Sequence, residues 1–153
     1  MAEIAFEDQL AVFAAKALAR TNNTIKDICY GVAASLITKS PIGDPSLWQH
    51  PAPKGYIPGT FKANWRASID AINYTTVDEQ DPSGEASMLQ VASVLADADL
   101  KDKVIYITNS LPYGQVLEDG SHSKQVPPGG MVALTVVEYK EIAGAAILKN
   151  ISL

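Results

Sequence analysis

Cysteine is nearly absent from this chain: Cys29 is the only one, so no intrachain disulfide can form. On a run of helical spacing it reads as a small buried apolar side chain. Histidine is scarce as well. His50 and His122 each stand in a proline- or glycine-rich loop, and two histidines fall short of the ligand set of a metal site. Glu118 and Asp119 precede His122, but a carboxylate–histidine group within one loop reads as a solvated turn. Charge is low too, with 12 basic against 17 acidic residues and a net charge of −5. A protein that wraps nucleic acid shows a basic face and a raised pI. Here Lys54, Lys62, Arg66, Lys101 and Lys103 are scattered and the pI is near 4.9. No apolar run approaches the ~18–20 residues of a membrane span. The acidic opening Met-Ala-Glu-Ile-Ala-Phe-Glu-Asp is unlike a secretory signal. The expectation is a soluble protein, made and assembled in the cytoplasm.

Catalytic signatures are missing in the same way. There is no Walker pattern, no G-x-G-x-x-G and no G-x-S-x-G elbow. The acidic group Asp78, Glu79 and Asp81 beside Pro82 reads as a solvated loop and not as a pair of catalytic carboxylates. A triad drawn from His122, Asp119 and a serine has no supporting motif. Gly129-Gly130 precedes a helical segment whose N-terminus could hold an anion, yet the simpler role for the two glycines is to turn the chain. Neither catalysis nor a cofactor is expected.

What the chain does have is 47% hydrophobic residues over 153 positions, enough for one domain with a single core and an extended arm. Phe6, Leu10, Phe13, Ala17, Thr21, Ile25, Ile28, Cys29, Val32 and Leu36 recur at mostly three- and four-residue intervals. This predicts a helix over 1–40, ended by Pro41 through its effect on Ser40. Thr21-Asn22-Asn23-Thr24 are poor helix formers, and Thr24 with Asp27 could cap a second helix there. One long helix is favoured because the stripe keeps its phase. The stripe is expected to pack mainly on the protomer's own sheet, with Phe6 to Phe13 best placed to reach a neighbouring subunit.

Residues 41–60 are proline- and glycine-rich yet carry Leu47, Trp48, Tyr56 and Ile57. They predict an ordered loop held by its aromatic side chains. From Phe61 to Tyr74, Ala63, Trp65, Ala67, Ile69 and Ala71 alternate with polar residues, as a half-buried strand does. Ser83 can cap a helix over about 85–97 with Met88, Val91, Ala92 and Leu95 inside. Asp97 to Asp102 forms a charged turn, and Val104-Ile-Tyr-Ile-Thr a short strand. Residues 131–149 place Val132, Val136, Tyr139, Ala143 and Ile147 on one helical face, although Val132 to Val137 could instead be a strand. The layout is α+β, with helices packed on a small, mainly antiparallel sheet. A single domain over 1–153 divides into the N-terminal helix (1–40), the proline-rich loop (41–60), strands and a helix (61–110), a docking loop (111–130) and a C-terminal helix (131–153).

Two blocks carry a resemblance. The first is Ser40-Pro-Ile-Gly-Asp-Pro-Ser-Leu-Trp with Gly59-Thr-Phe-Lys-Ala-Asn-Trp-Arg-Ala-Ser. The second runs from Thr108 through Leu111-Pro-Tyr, Leu117-Glu-Asp-Gly and Ser123-Lys-Gln to Pro127-Pro-Gly-Gly-Met. Together, and in this order, they resemble the neck and tail-completion proteins of long-tailed bacteriophages. The likeness covers most of the chain and is thinnest over 73–100. Asp119, inserted before Gly120, and the Pro127-Pro128 pair with its extra glycine depart from the family pattern and alter the loop's shape.

The resemblance implies a structural virion protein of the head–tail junction, assembled in the host cytoplasm. It would form a ring, expected to be sixfold, between head-closure or adaptor proteins and the tail terminator or tail tube. Genomic DNA would only pass through the lumen; the net charge of −5, apart from the resemblance, suits an acidic lining that would not stick to phosphates. There would be no enzymatic activity, cofactor, metal or membrane contact. The candidate contact residues are Trp48, Tyr56, Trp65, Pro112, Tyr113, Glu118, Lys124 and Gln125. The alternatives are a tail terminator capping the tube and, in another class, a small ligand-binding or enzymatic domain with the 41–60 loop as its lid.

Overall fold

The structure, a computed structural model, describes residues 5–48, 50–52, 54–119 and 126–151. Its longest element is α1, Phe6–Lys39, which at 1.5 Å per residue is a rod of about 50 Å. Alanine supplies much of its first half, and Glu7 and Asp8 lie in its first turn with Lys39 in its last, matching the helix dipole. Ser40 leaves the helix with φ −74° and ψ 141°, the extended geometry that Pro41 imposes. No second helix begins at Thr24. Thr21 and Thr24 donate their hydroxyls to the carbonyls of Ala17 and Arg20 within the same helix. Asn22 is there for a tertiary purpose: its amide donates to the Ala98 carbonyl (3.0 Å) and accepts from the Leu100 N–H (2.8 Å).

The remaining elements are α2 (Thr60–Ala63), β1 (Trp65–Ile69), α3 (Glu85–Leu95), β2 (Ile105–Asn109), α4 (Gly114–Glu118) and α5 (Met131–Ile151). β1 and β2 pair antiparallel, Trp65 opposite Asn109 and Ile69 opposite Ile105. The other edge of β1 is closed by a side chain, since Gln90 of α3 accepts from the Ala67 N–H and donates to the Ala67 carbonyl. The fold is therefore α+β, with a two-stranded sheet among helices.

Several boundaries differ from the sequence reading. The strand begins at Trp65 and not at Phe61, because Gly59 (φ +92°) starts one turn of helix in which Asn64 is drawn inward. Buried Asn64 then acts as a strand partner for the 70–84 connection, donating to the Val77 carbonyl and accepting from its N–H. The strand stops at Asp70, whose φ of +63° turns the chain while its carboxylate takes Val104 N–H and the Lys103 ammonium. Ser83 is one residue too early to be the N-cap of α3, which is Gly84. Ser83 Oγ still accepts from the Glu85 N–H, and the buried Asp81 carboxylate from Ser87 N–H. Residues 131–137 are helical. Within the expected docking loop, 114–118 are helical too.

The core has two clusters. One joins Cys29 and Ala33 of α1 to Ala67, Val91, Leu95 and Leu100. The other joins Leu36 and Ile37 to Phe61, Trp65, Val126 and Met131. α1 packs most extensively on α5, then on α3; the sheet enters the stripe's environment chiefly through Ala67, Ile105 and Ile107. This corrects the expectation that the stripe lies mainly on the sheet. The α1–α5 approach is close because Gly31 faces Ile142, whose Cγ2 lies 2.5 Å from where a Cβ would stand. Polar clasps hold both ends of this pair. Ser35, Lys39, Thr135 and Glu138 form one, with Lys39 to Glu138 at 2.8 Å, and Asp27 with Lys149 and Asn150 the other.

Candidate interaction surface

The two sequence blocks are distant along the chain but meet in the folded protein. Phe61 packs edge-on against Trp65 (centroids 6.0 Å) and, with its ring tilted by 40°, against Tyr113 of the second block (5.8 Å). Asn109 fixes the junction. Its amide donates to the Phe61 carbonyl at 2.8 Å while its oxygen accepts from the Leu111 N–H. Ser40 ties in the end of α1: its hydroxyl donates to the Leu36 carbonyl and accepts the Trp65 indole N–H at 2.7 Å. Ser40 is thus bound to Trp65, and Asn109 to Phe61 and Leu111, as scaffold.

The 41–60 loop rises from this base. Asp44 accepts the Ser46 N–H at 2.9 Å and caps the turn Pro45–Leu47; a hydrogen bond with the Ser46 side chain, and then the one from its N–H, hold the Asp44 carboxyl below its ordinary range. Gly59 N–H donates to the Ile42 carbonyl at 2.7 Å, closing the loop at its neck. Trp48 and Tyr56 pack together with centroids 4.6 Å apart and rings inclined by 57°, and Gly43 (φ +78°) lies against the Tyr56 hydroxyl where a side chain would clash. The loop is held by its aromatics, and Trp48 remains 37% exposed. Burial raises the pKa of Tyr56; burial and then the neighbouring Tyr56 raise that of Tyr113.

Glu118 has a different place from the one read in the sequence. Its carboxylate accepts the N–H groups of Met131 (2.8 Å), Val132 (3.0 Å) and Ala133 (3.0 Å), the first turn of α5. This satisfies donors that a helix start leaves unpaired, and it sets a negative charge at the positive end of the helix dipole. Gly130 (φ +89°) is required beside it, since a Cβ there would stand 2.7 Å from the Glu118 carbonyl oxygen. The anion at the start of α5 is the chain's own Glu118. A signal was available in the sequence: Gly129-Gly130 offer no side chain to cap α5, so a partner had to come from elsewhere.

Of the eight candidate contact residues, Trp65 is buried at 4% exposure and belongs to the core, not to a surface. Glu118 is committed within the protomer. Trp48, Pro112 and Tyr113 are exposed, Tyr56 is half-buried, and Lys124 and Gln125 lie outside the described residues. His122 and Gly120 lie outside them too. Among the described residues, no three His, Cys, Asp or Glu side chains come together, and none of the helices is long and apolar enough to cross a membrane. Cys29 is buried, which pushes its thiol pKa up and away from the reactive thiolate.

Large apolar side chains stay exposed in two regions that the motifs do not cover. Every residue of α1 from Phe6 to Arg20 is exposed, including Phe6 at 76% and Phe13 at 69%. On α5 the side turned to α1 is Met131, Thr135, Ala146 and Asn150, whereas Val132, Val136, Tyr139 and Ile147 are open. Gly31 of α1, with Thr135, Ala146 and Asn150 of α5, lets the two helices approach closely, and a β-branched and aromatic face of α5 is left outside. Comparison with family models, with curated proteins and with solved structures finds no match.

Proposed function

We propose that this chain is a structural subunit of the neck of a long-tailed bacteriophage. In this reading it forms a ring that completes the head–tail connector and joins it to the tail. The observation that carries the reading is the meeting of the two family-like blocks in one substructure. Their characteristic residues, Ser40, Asp44, Trp65, Asn109 and Glu118, are engaged in capping and cross-bracing, which suits a motif kept for shape. The exposed aromatics Trp48 and Tyr113 stand on that braced base, as contact residues should when they must dock in a fixed geometry. The exposed apolar faces of α1 and α5 add support, because a monomer rarely leaves contiguous apolar surface of this kind in water.

On this reading the chain performs no catalysis, and its partners are its own copies, head-closure or adaptor proteins, and the tail terminator or tube. The test is genetic. A phage lacking the gene should accumulate filled heads and separate tails, with joining restored by the wild-type chain supplied in trans. Normal yields of joined particles without the gene would overturn the proposal.

A further inference from the structure

The α1 rod carries two apolar surfaces that it cannot bring together. One is the arm ahead of the core, where Phe6, Leu10, Phe13 and Ala17 fall on a single face by their spacing, the first three being 76, 56 and 69% exposed. The other is a groove of about 420 Å³. Ile28 and Val32 of α1 and Ile107 of β2 form its floor, and Val132, Val136 and Tyr139 of α5 its wall. Arm and groove occupy successive stretches of one unbroken helix. The arm therefore cannot fold back into the groove of its own chain.

We propose that the groove takes the Phe6–Ala17 arm of a second copy of this chain. The inference rests on the ring-forming reading and names the contact that would build the ring. Lengths agree: Phe6 to Ala17 and the groove's α1 floor, Ile25 to Leu36, each span about 17 Å at the helical rise. The area is also of the right order. At the exposures given, the arm's apolar face presents roughly 400 Å², about half of the ~800 Å² that one partner contributes to a standard interface. The rest would have to come from polar side chains flanking the arm, as a rim. The mode is an amphipathic helix in an apolar groove. Because arm and groove are different surfaces, the contact is heterologous, and its repetition closes into a ring when the rotation between copies permits.

Cysteine pairs test this in the full chain carrying Cys29→Ala. Phe13→Cys and Val136→Cys are placed in one chain, and also in two chains that are then mixed. Both positions are exposed, at 69% and 67%, so the fold tolerates them. On oxidation the double variant should give a ladder of linked multimers. The mixture should give a dimer holding one chain of each kind, and each single variant alone should stay unlinked. Phe13→Cys linking to itself would mean that arms pair with arms, which overturns the proposal. Multimers of the wild-type chain without 13–136 links would also overturn it, while leaving the ring reading in place. A chain that stays monomeric at its highest soluble concentration, with no links, overturns self-docking, and the ring reading is then decided by imaging particles. In the chain with Cys29 intact, Phe13→Glu should abolish multimers while its circular dichroism is unchanged; multimers that persist count against the arm.

Discussion

Glu118 and Met131 are joined by a 2.8 Å hydrogen bond from the Met131 N–H to the Glu118 carboxylate, which fixes the start of α5 to the end of α4. Met131 is buried in the cluster that also holds Leu36, Ile37, Phe61 and Trp65. The loop between α4 and α5 is thereby tied at both ends to the core. A carboxylate that looks like a docking group in the sequence is a helix cap.

Removing that cap has a defined cost. Glu118→Ala should destabilise the fold by about 1–2 kcal/mol, the upper part of the range for losing a helix N-cap. The damage should be local, with amide exchange quickening first at Met131, Val132 and Ala133. Unchanged exchange there, in a variant of normal stability, would show that the cap is dispensable.

The two tryptophans should behave differently. Trp65 is buried at 4% and its indole N–H is bonded to Ser40, so Trp65→Ala should cost about 3–5 kcal/mol. Trp48 touches Tyr56 and is 37% exposed. Trp48→Ala should cost about 0.5–1.5 kcal/mol, the worth of an aromatic pair, and show its main effect as fewer joined particles. Denaturant midpoints and particle counts from complementation separate the two effects. A Trp48→Ala chain with full particle yield would make the 41–60 loop passive.

Acid should loosen the α1–α5 clasp. The hydrogen bond from Lys39, and then that from Ser35, holds the Glu138 carboxyl below its ordinary range. A lowered folded pKa gives stability that is present above the unfolded value, about 4.3 for glutamate, and is lost as pH falls through the folded value. Asp44 and Asp70 are lowered as well and act in the same sense. The stability difference between wild type and Glu138→Gln should be largest near neutrality and shrink as the pH drops below about 4. A difference that stays constant from neutral to acid would mean that the ion pair contributes nothing.

Much of the fold was legible because it rests on local periodicity. The stripe from Phe6 to Leu36 with Pro41 as its stop predicts α1 and places its end within a residue of Lys39, although the helix starts at Phe6 and not at residue 1, and residues 1–4 of the expected span lie outside the described residues. Val104 to Thr108 predicts β2 within a residue at each end. The misplaced elements are those decided by tertiary bonds. Phe61 and Ala63 alternate like strand residues, but Gly59 and Asn64 force a helical turn. Gly114–Glu118 carries too little apolar pattern to announce a helix, and it exists to present Glu118 to α5. Val132, Val136 and Tyr139 mark a helix correctly but not which neighbour that face meets. That face is open in the single chain, and an apolar pattern alone cannot say whether its cover is intramolecular.

The proposed ring at the junction of head and tail is open to direct imaging. Electron cryo-microscopy of intact tailed particles tests it most directly. The expected result is a closed ring of this chain in the neck, with density for α1 bridging adjacent subunits. Particles whose neck is fully accounted for by other proteins, with this chain absent or bound elsewhere, would contradict it.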